Sequence, residues 1–153
     1  DKQVIFTVSP VRHLRDGLAD NQLSKSTLIV AAHTLVEQFA NCHYFPAYEI
    51  MMDDLRDYRF YDRDMIHPSD LAADYIWEQF CNWVVAPQAQ QTMQRITALQ
   101  QMLHHRPLHP DSTAFNTFLA KIVSEIDALQ RGYPRLDFGP EQEQLRQLAN
   151  YKP

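Results

Sequence analysis

The order strand, helix, strand is the feature that most limits how this chain can fold. Val4-Ile5-Phe6-Thr7-Val8 is an unbroken β-prone run of the kind found in a strand buried on both faces of a sheet. A helical pattern follows from Ser24, where Leu28, Ala31, Ala32, Leu35, Val36 and Phe39 recur at three- and four-residue steps to make one apolar face. His43 to Met52 then reads as a second strand, with Pro46 near its start. A proline cannot donate to a ladder, so Pro46 implies an edge position or a strand that begins after it. Two strands joined through a helix run parallel, and such a crossover is right-handed. A parallel pair makes no stable sheet alone, because each strand needs neighbours for its backbone groups. The expected class is therefore α/β, with the remaining strands outside these residues.

Between the first strand and the helix, Val11 to Gln22 carries Arg12, His13, Arg15, Asp16, Gly17 and Asn21, a polar composition that reads as a loop. It lies at the carboxyl end of the strand, the edge where open α/β sheets bind ligands. His13 and Arg12 are therefore candidates for substrate contact, weighed against an ordinary solvated loop. Ser24 is an N-cap for the helix and Asn41 its stop. Past the second strand, Tyr48, Glu49, Tyr58, Arg59 and Tyr61 can line a pocket, although loop tyrosines more often cover the edge of a core.

Next comes Asp64-Met65-Ile66-His67-Pro68-Ser69. A carboxylate three residues before a histidine, in a short turn closed by Pro68 and a helix N-cap at Ser69, can reach one imidazole nitrogen and leave the other free to handle a proton. That is the orienter and base half of a hydrolytic triad. The plainer alternative is a helix-capping turn with a solvated histidine. Leu71, Ala72, Tyr75, Ile76, Gln79, Phe80, Trp83 and Val84 then form an amphipathic helix whose N-terminal dipole favours an ionised Asp64.

Four blocks taken in order, Thr7-Val8-Ser9-Pro10-Val11, Ser24-Lys25-Ser26, Tyr44-Phe45-Pro46-Ala47-Tyr48-Glu49-Ile50 and Asp64-Met65-Ile66-His67-Pro68-Ser69, resemble the GSCFA family, a bacterial branch of the SGNH hydrolase superfamily, over roughly residues 3 to 80. The resemblance implies part of a three-layer α/β/α, flavodoxin-like parallel-sheet domain. It also implies that Asp64 orients His67 and that His67 serves as base. The superfamily's nucleophilic serine sits in a Gly-Ser-Cys-Phe-Ala stretch that this chain does not contain. The nucleophile and the oxyanion-hole donors are thus expected in an N-terminal part of the same protein, and these residues alone are expected to be inactive.

Pro87 interrupts the helical pattern. Beyond it Thr92, Ile96, Leu99 and Leu103 continue a face, His104 to Pro110 breaks it, and Asp111 or Ser112 caps a second stripe of Phe115, Phe118, Leu119, Ile122, Ile126 and Leu129. The two segments read as an antiparallel helical hairpin ended by Gly132 and Pro134. A short terminal helix follows from about Pro140 to Asn150, docked by Leu145 and Leu148. This divides the chain into an α/β part over 1–86 and a helical extension over 87–153 that packs on it and serves as a dimerisation or partner element. His104, His105 and His109 are not expected to form a metal site, because Pro107 breaks the turn between them. No glycine-rich phosphate loop is present, and no cofactor is expected.

Composition narrows the rest. A formal charge of -5 with scattered basic residues gives no reason to expect nucleic acid or an anionic membrane as partner. No run of 18 apolar residues exists to span a membrane. Cys42 and Cys81 match neither a redox pair nor a zinc cluster and read as buried thiols, which imply no oxidising compartment and lean towards the cytoplasm. The expected function is a serine ester hydrolase or acyl transferase acting on an acyl ester of a carbohydrate or small molecule. The alternative is a non-catalytic domain that binds a glycan or a protein.

Overall fold

The computed structural model describes residues 2–15, 17–110 and 112–150. Asp16 of the polar segment and the alternative cap Asp111 lie outside the described residues. The chain forms two compact units, Asp1–Val85 and Ala86–Pro153. It is a mostly helical α/β structure with a two-stranded parallel sheet and C-terminal helices.

In the first unit, β1 (Val4–Thr7) and β2 (Cys42–Phe45) pair in parallel from Val4 opposite Cys42 to Thr7 opposite Phe45. Burial of the first strand on both faces is not what the structure shows: Val4 and Ile5 are each 38% exposed. The reason is that β2 is its one strand neighbour among the described residues, so the outer edge and much of its surface stay open. Helix α1 (Gly17–Gln38) returns the chain along β2. It starts at Gly17 rather than Ser24, which corrects the loop expected over Val11 to Gln22. Gly17 adopts φ +83, a left-handed turn that a residue without Cβ makes freely, and the chain enters the helix from it. The inward stripe of α1 is Asn21, Lys25, Ile29, Ala32 and Val36, while Leu28, Ala31 and Phe39 of the expected apolar face are exposed. Asn21 at an inward position, with Gly17 one turn before it, made the first turns of the helix look like a loop.

The second strand also ends sooner than expected. It stops at Phe45 because Pro46 has no N–H for the ladder, and its fixed φ suits the start of a helix. The short helix α2 (Ala47–Glu49) runs on as a wide π-turn over Ile50–Asp54, closed by the Leu55 amide on the Ile50 carbonyl at 3.1 Å. Met51 and Leu55 from this segment are buried against Ala72 of α3 (Asp70–Val84), with Phe60, Tyr61, Tyr75 and Ile76 packed around them. A second contact joins α3 to the sheet: Phe45 meets Phe80 edge-on at 5.1 Å and stacks on Trp83 at 5.9 Å.

In the second unit, α4 (Pro87–Leu103) begins with Pro87 in its first turn, where a missing N–H costs nothing. Helix α5 (Thr113–Gly132) is capped by Ser112, whose Oγ accepts from the Phe115 amide at 3.2 Å, and α6 (Gly139–Ala149) follows. Each of the three packs on the other two, so the expected hairpin is part of a three-helix cluster. Its core is Leu99, Leu103, Phe115, Ile122, Ile126, Leu129, Phe138 and Leu148, with Leu145 partly buried beside them. Among the described residues no helix is long and apolar enough to cross a membrane. Ile122 is fully buried and Val123 is 44% exposed. Ile122→Ala is expected to cost about 2–5 kcal/mol and Val123→Ala below about 1 kcal/mol, measured by urea unfolding followed by circular dichroism. Equal losses would contradict this core.

Candidate functional site

The segment from Phe60 to Ser69 folds back on itself before α3. Tyr61 and Pro68 form an antiparallel bridge, the Asp62 amide donates to the His67 carbonyl at 2.8 Å, and the Ser69 amide donates to the Phe60 carbonyl at 2.8 Å. Ser69 then caps α3, its Oγ accepting from the Ala72 amide at 3.4 Å and donating to the Arg59 carbonyl at 3.0 Å. Below the turn lies the small core of Met51, Leu55 and Ala72, to which Phe60 and Tyr61 belong. The turn is thus fastened at its base, where backbone pairing, cap and packing meet.

Its tip is held by one carboxylate. Met65 adopts φ +58, a left-handed conformation that costs a residue with a Cβ about 1–2 kcal/mol. Asp64 Oδ1 accepts from the amides of Ile66 at 2.8 Å and His67 at 3.0 Å, which fixes the backbone on the far side of that strained residue. Asp64 Oδ2 lies 2.6 Å from His67 Nδ1. The His67 amide, then its ring, then the Ile66 amide lower the Asp64 carboxyl from 3.8 to about 2 against a smaller opposing effect of desolvation. An ionised carboxylate only accepts, so Nδ1 carries the hydrogen of this bond and Nε2 of a neutral ring keeps its lone pair. Nε2 has no hydrogen-bond partner among the described residues. The side chains of His67 and Asp64 are 58% and 44% exposed, so a ligand can reach the ring without displacing protein.

The other residues singled out from sequence divide into two groups. Arg12 comes near the turn: its guanidinium lies over the Tyr61 ring, 5.4 Å from the centroid, with Nη2 3.4 Å from the Tyr61 hydroxyl. The adjacent His13 is exposed and gives its amide to Asn21 Oδ1 at 2.8 Å. Tyr48 and Glu49 make their bonds elsewhere. Tyr48 is buried and donates to Gln22 Oε1 at 2.7 Å, tying α2 to α1. Glu49 accepts from the Tyr44 hydroxyl through both oxygens, at 2.9 and 3.0 Å. Burial and that carboxylate push the Tyr44 hydroxyl well above its ordinary range. Sequence reading missed Asn21 and Lys25, although their four-residue step continues the stripe of Ile29, Ala32 and Val36.

Beside Pro68, an apolar groove of about 380 Å³ opens among Thr7, Pro10, Phe45, Ile76, Trp77 and Phe80. In the second unit His104 Nδ1 lies 2.7 Å from the Gln100 carbonyl, and the His105 ring meets Phe118 at 5.3 Å. Among the described residues no group of three or more His, Cys, Asp or Glu side chains is placed to hold a metal ion. Cys42 and Cys81 are half-buried and not joined in a disulfide.

The Asp64 bonds set an acid-range signature. The folded carboxyl is depressed, so its contribution to stability is complete above about pH 4 and declines as pH falls from there towards about 2. Carboxyl carbon shifts followed by NMR should titrate at about 2 in the native chain, and Asp64→Asn should remove that transition. A midpoint at the ordinary 3.8 would mean that the three bonds are not made in solution.

Two successive stretches of the chain match known families. Residues 1–80 match the family described as GSCFA family, and residues 90–150 match the GSCFA domain protein, C-terminal domain. No curated protein and no solved structure matches the chain. The first match alone spans more than half of the 153 residues, and the chain belongs to the GSCFA family.

Proposed function

We propose that this chain is part of an SGNH-type serine ester hydrolase or acyl transferase, with His67 as general base and Asp64 as its orienter. The observation that carries the proposal is the 2.6 Å contact between His67 Nδ1 and Asp64 Oδ2 with Nε2 unbonded. In this reading Nε2 takes the proton of an attacking hydroxyl as its oxygen bonds to the acyl carbon. Asp64 stabilises the imidazolium that results, and Nε2 returns the proton to the departing alcohol. The hydroxyl and the oxyanion-hole donors come from an N-terminal part of the same protein. That part also supplies the strands that complete a three-layer α/β/α sheet. The open edge of β1 supports this, since Val4 and Ile5 are apolar residues left in solvent. The substrate class is an acyl ester of a carbohydrate or small molecule. The helical unit serves as a dimerisation or partner element, and a monomer by light scattering would count against dimerisation.

A second reading is a domain that binds a glycan without catalysis. Trp77 favours it: the ring stacks on Phe80 at 5.6 Å, stays half-exposed and lines the groove beside Pro68, as an aromatic platform for a sugar would. Two measurements on protein that includes the serine-bearing segment separate the readings. His67→Ala should lower turnover of p-nitrophenyl acetate about 1000-fold or more, and near-normal turnover would eliminate His67 as base. Stoichiometric labelling by a serine-reactive phosphonate favours the enzyme, whereas no labelling with retained glycan binding favours the binder.

A further inference from the structure

Asn21 and Lys25 stand one turn apart on α1, and both are buried, Lys25 to 2% exposure. Burying an ammonium group is unfavourable unless hydrogen bonds compensate it, and desolvation pulls the Lys25 amine below its ordinary range. A helix that only had to pack on β2 would place apolar side chains here, as α1 does further along with Ile29 and Ala32. Both polar side chains reach the backbone of the segment that leaves β1. Lys25 Nζ donates to the Ser9 carbonyl at 2.7 Å, and Asn21 Oδ1 accepts from the His13 amide at 2.8 Å. Between these two points lies Arg12, the residue set against Tyr61. Tyr61 in turn pairs with Pro68, next to His67.

We infer that Asn21 and Lys25 are positioning residues: they pin the strand-end loop at Ser9 and His13 and so hold the Arg12 guanidinium over Tyr61, beside the His67 turn, to receive an anionic or carbonyl oxygen of the substrate. The assignment of substrate contact to Arg12 rests on the proposed role of His67, whereas the clamp itself is read from backbone bonds. Charge is needed at neither end of an ordinary packing contact. It is useful where a carbonyl beyond the end of the ladder must be held in a fixed direction, because a charge-assisted bond is stronger than a neutral one.

NMR of labelled protein that includes the serine-bearing segment tests the clamp. Tyr61→Phe identifies the Tyr61 ring signals, and Arg12→Ala gives their position without the cation. Lys25→Met keeps the stem and removes the ammonium. It is expected to move the Tyr61 signals at least halfway to their Arg12→Ala position, with a melting temperature unchanged or raised because a buried charge is gone. Asn21→Ala should speed exchange of the His13 amide by about tenfold or more, and Asn21→Asp, which keeps the accepting oxygen, should restore its protection. Tyr61 signals that stay at their native position in Lys25→Met overturn the inference, and a lowered melting temperature with those signals unmoved marks Lys25 as merely structural. Should Lys25→Met fail to fold, Asn21→Ala decides through the same ring signals. None of these readouts needs turnover, so a failure of His67 as base is scored separately.

Discussion

A parallel pair of strands can be joined only by a connection that travels back the length of the sheet, and this constraint organises the first unit. Helix α1 is that return path. Because it must begin beyond the carboxyl end of β1, its first turns lie beside the segment leaving that strand, close enough for Lys25 to bond the Ser9 carbonyl. Because it must deliver the chain to the start of β2, its last turns carry the small and branched residues Ala32 and Val36 that the strand can cover. One helix thus serves two ends of the sheet with two chemistries, polar beside the carboxyl end of β1 and apolar at the other. Its sequence is correspondingly less amphipathic than that of α3 or α5.

This explains what could be read from the chain and what could not. The turn Asp64 to Ser69 was legible because its causes are local: a side chain that accepts from amides two and three residues on, a proline and a cap. The helices of the second unit were legible for a similar reason, since Phe115, Ile122, Ile126 and Leu129 keep one stripe without interruption. The start of α1 was not. Gly17 and Asn21 have the composition of a loop, and only the tertiary requirement that the His13 amide be met explains why a helix buries Asn21. The end of β2 was misread because an apolar run through Met51 and Met52 fits a strand as well as a helix. Pro46, taken to mark an edge position or a strand that begins after it, is the residue that leads into α2. The pairing of Arg12 with Tyr61 joins residues 49 apart in sequence and leaves no local trace.

Within the site, the economy lies in Asp64. A carboxylate that only oriented an imidazole would leave one oxygen in water, yet here Oδ1 is spent on two backbone amides and Oδ2 on the ring. The left-handed Met65 is what brings those amides round to face the carboxylate. Ring orientation and backbone shape are therefore set together. A change at Asp64 alters the path of the chain as well as the tautomer of His67, unlike a change confined to the imidazole.

Both tryptophans of the chain, Trp77 and Trp83, lie on α3 and contact Phe80 and Phe45 of the same unit. Indole emission is consequently a reporter of one half of the molecule, and the three-helix cluster is nearly dark at red-edge excitation, with tyrosine its brightest chromophore. Fluorescence follows the first unit while far-ultraviolet ellipticity averages over the helices of both, so coincident transition midpoints mean that the halves melt together and a gap between them means that they melt separately.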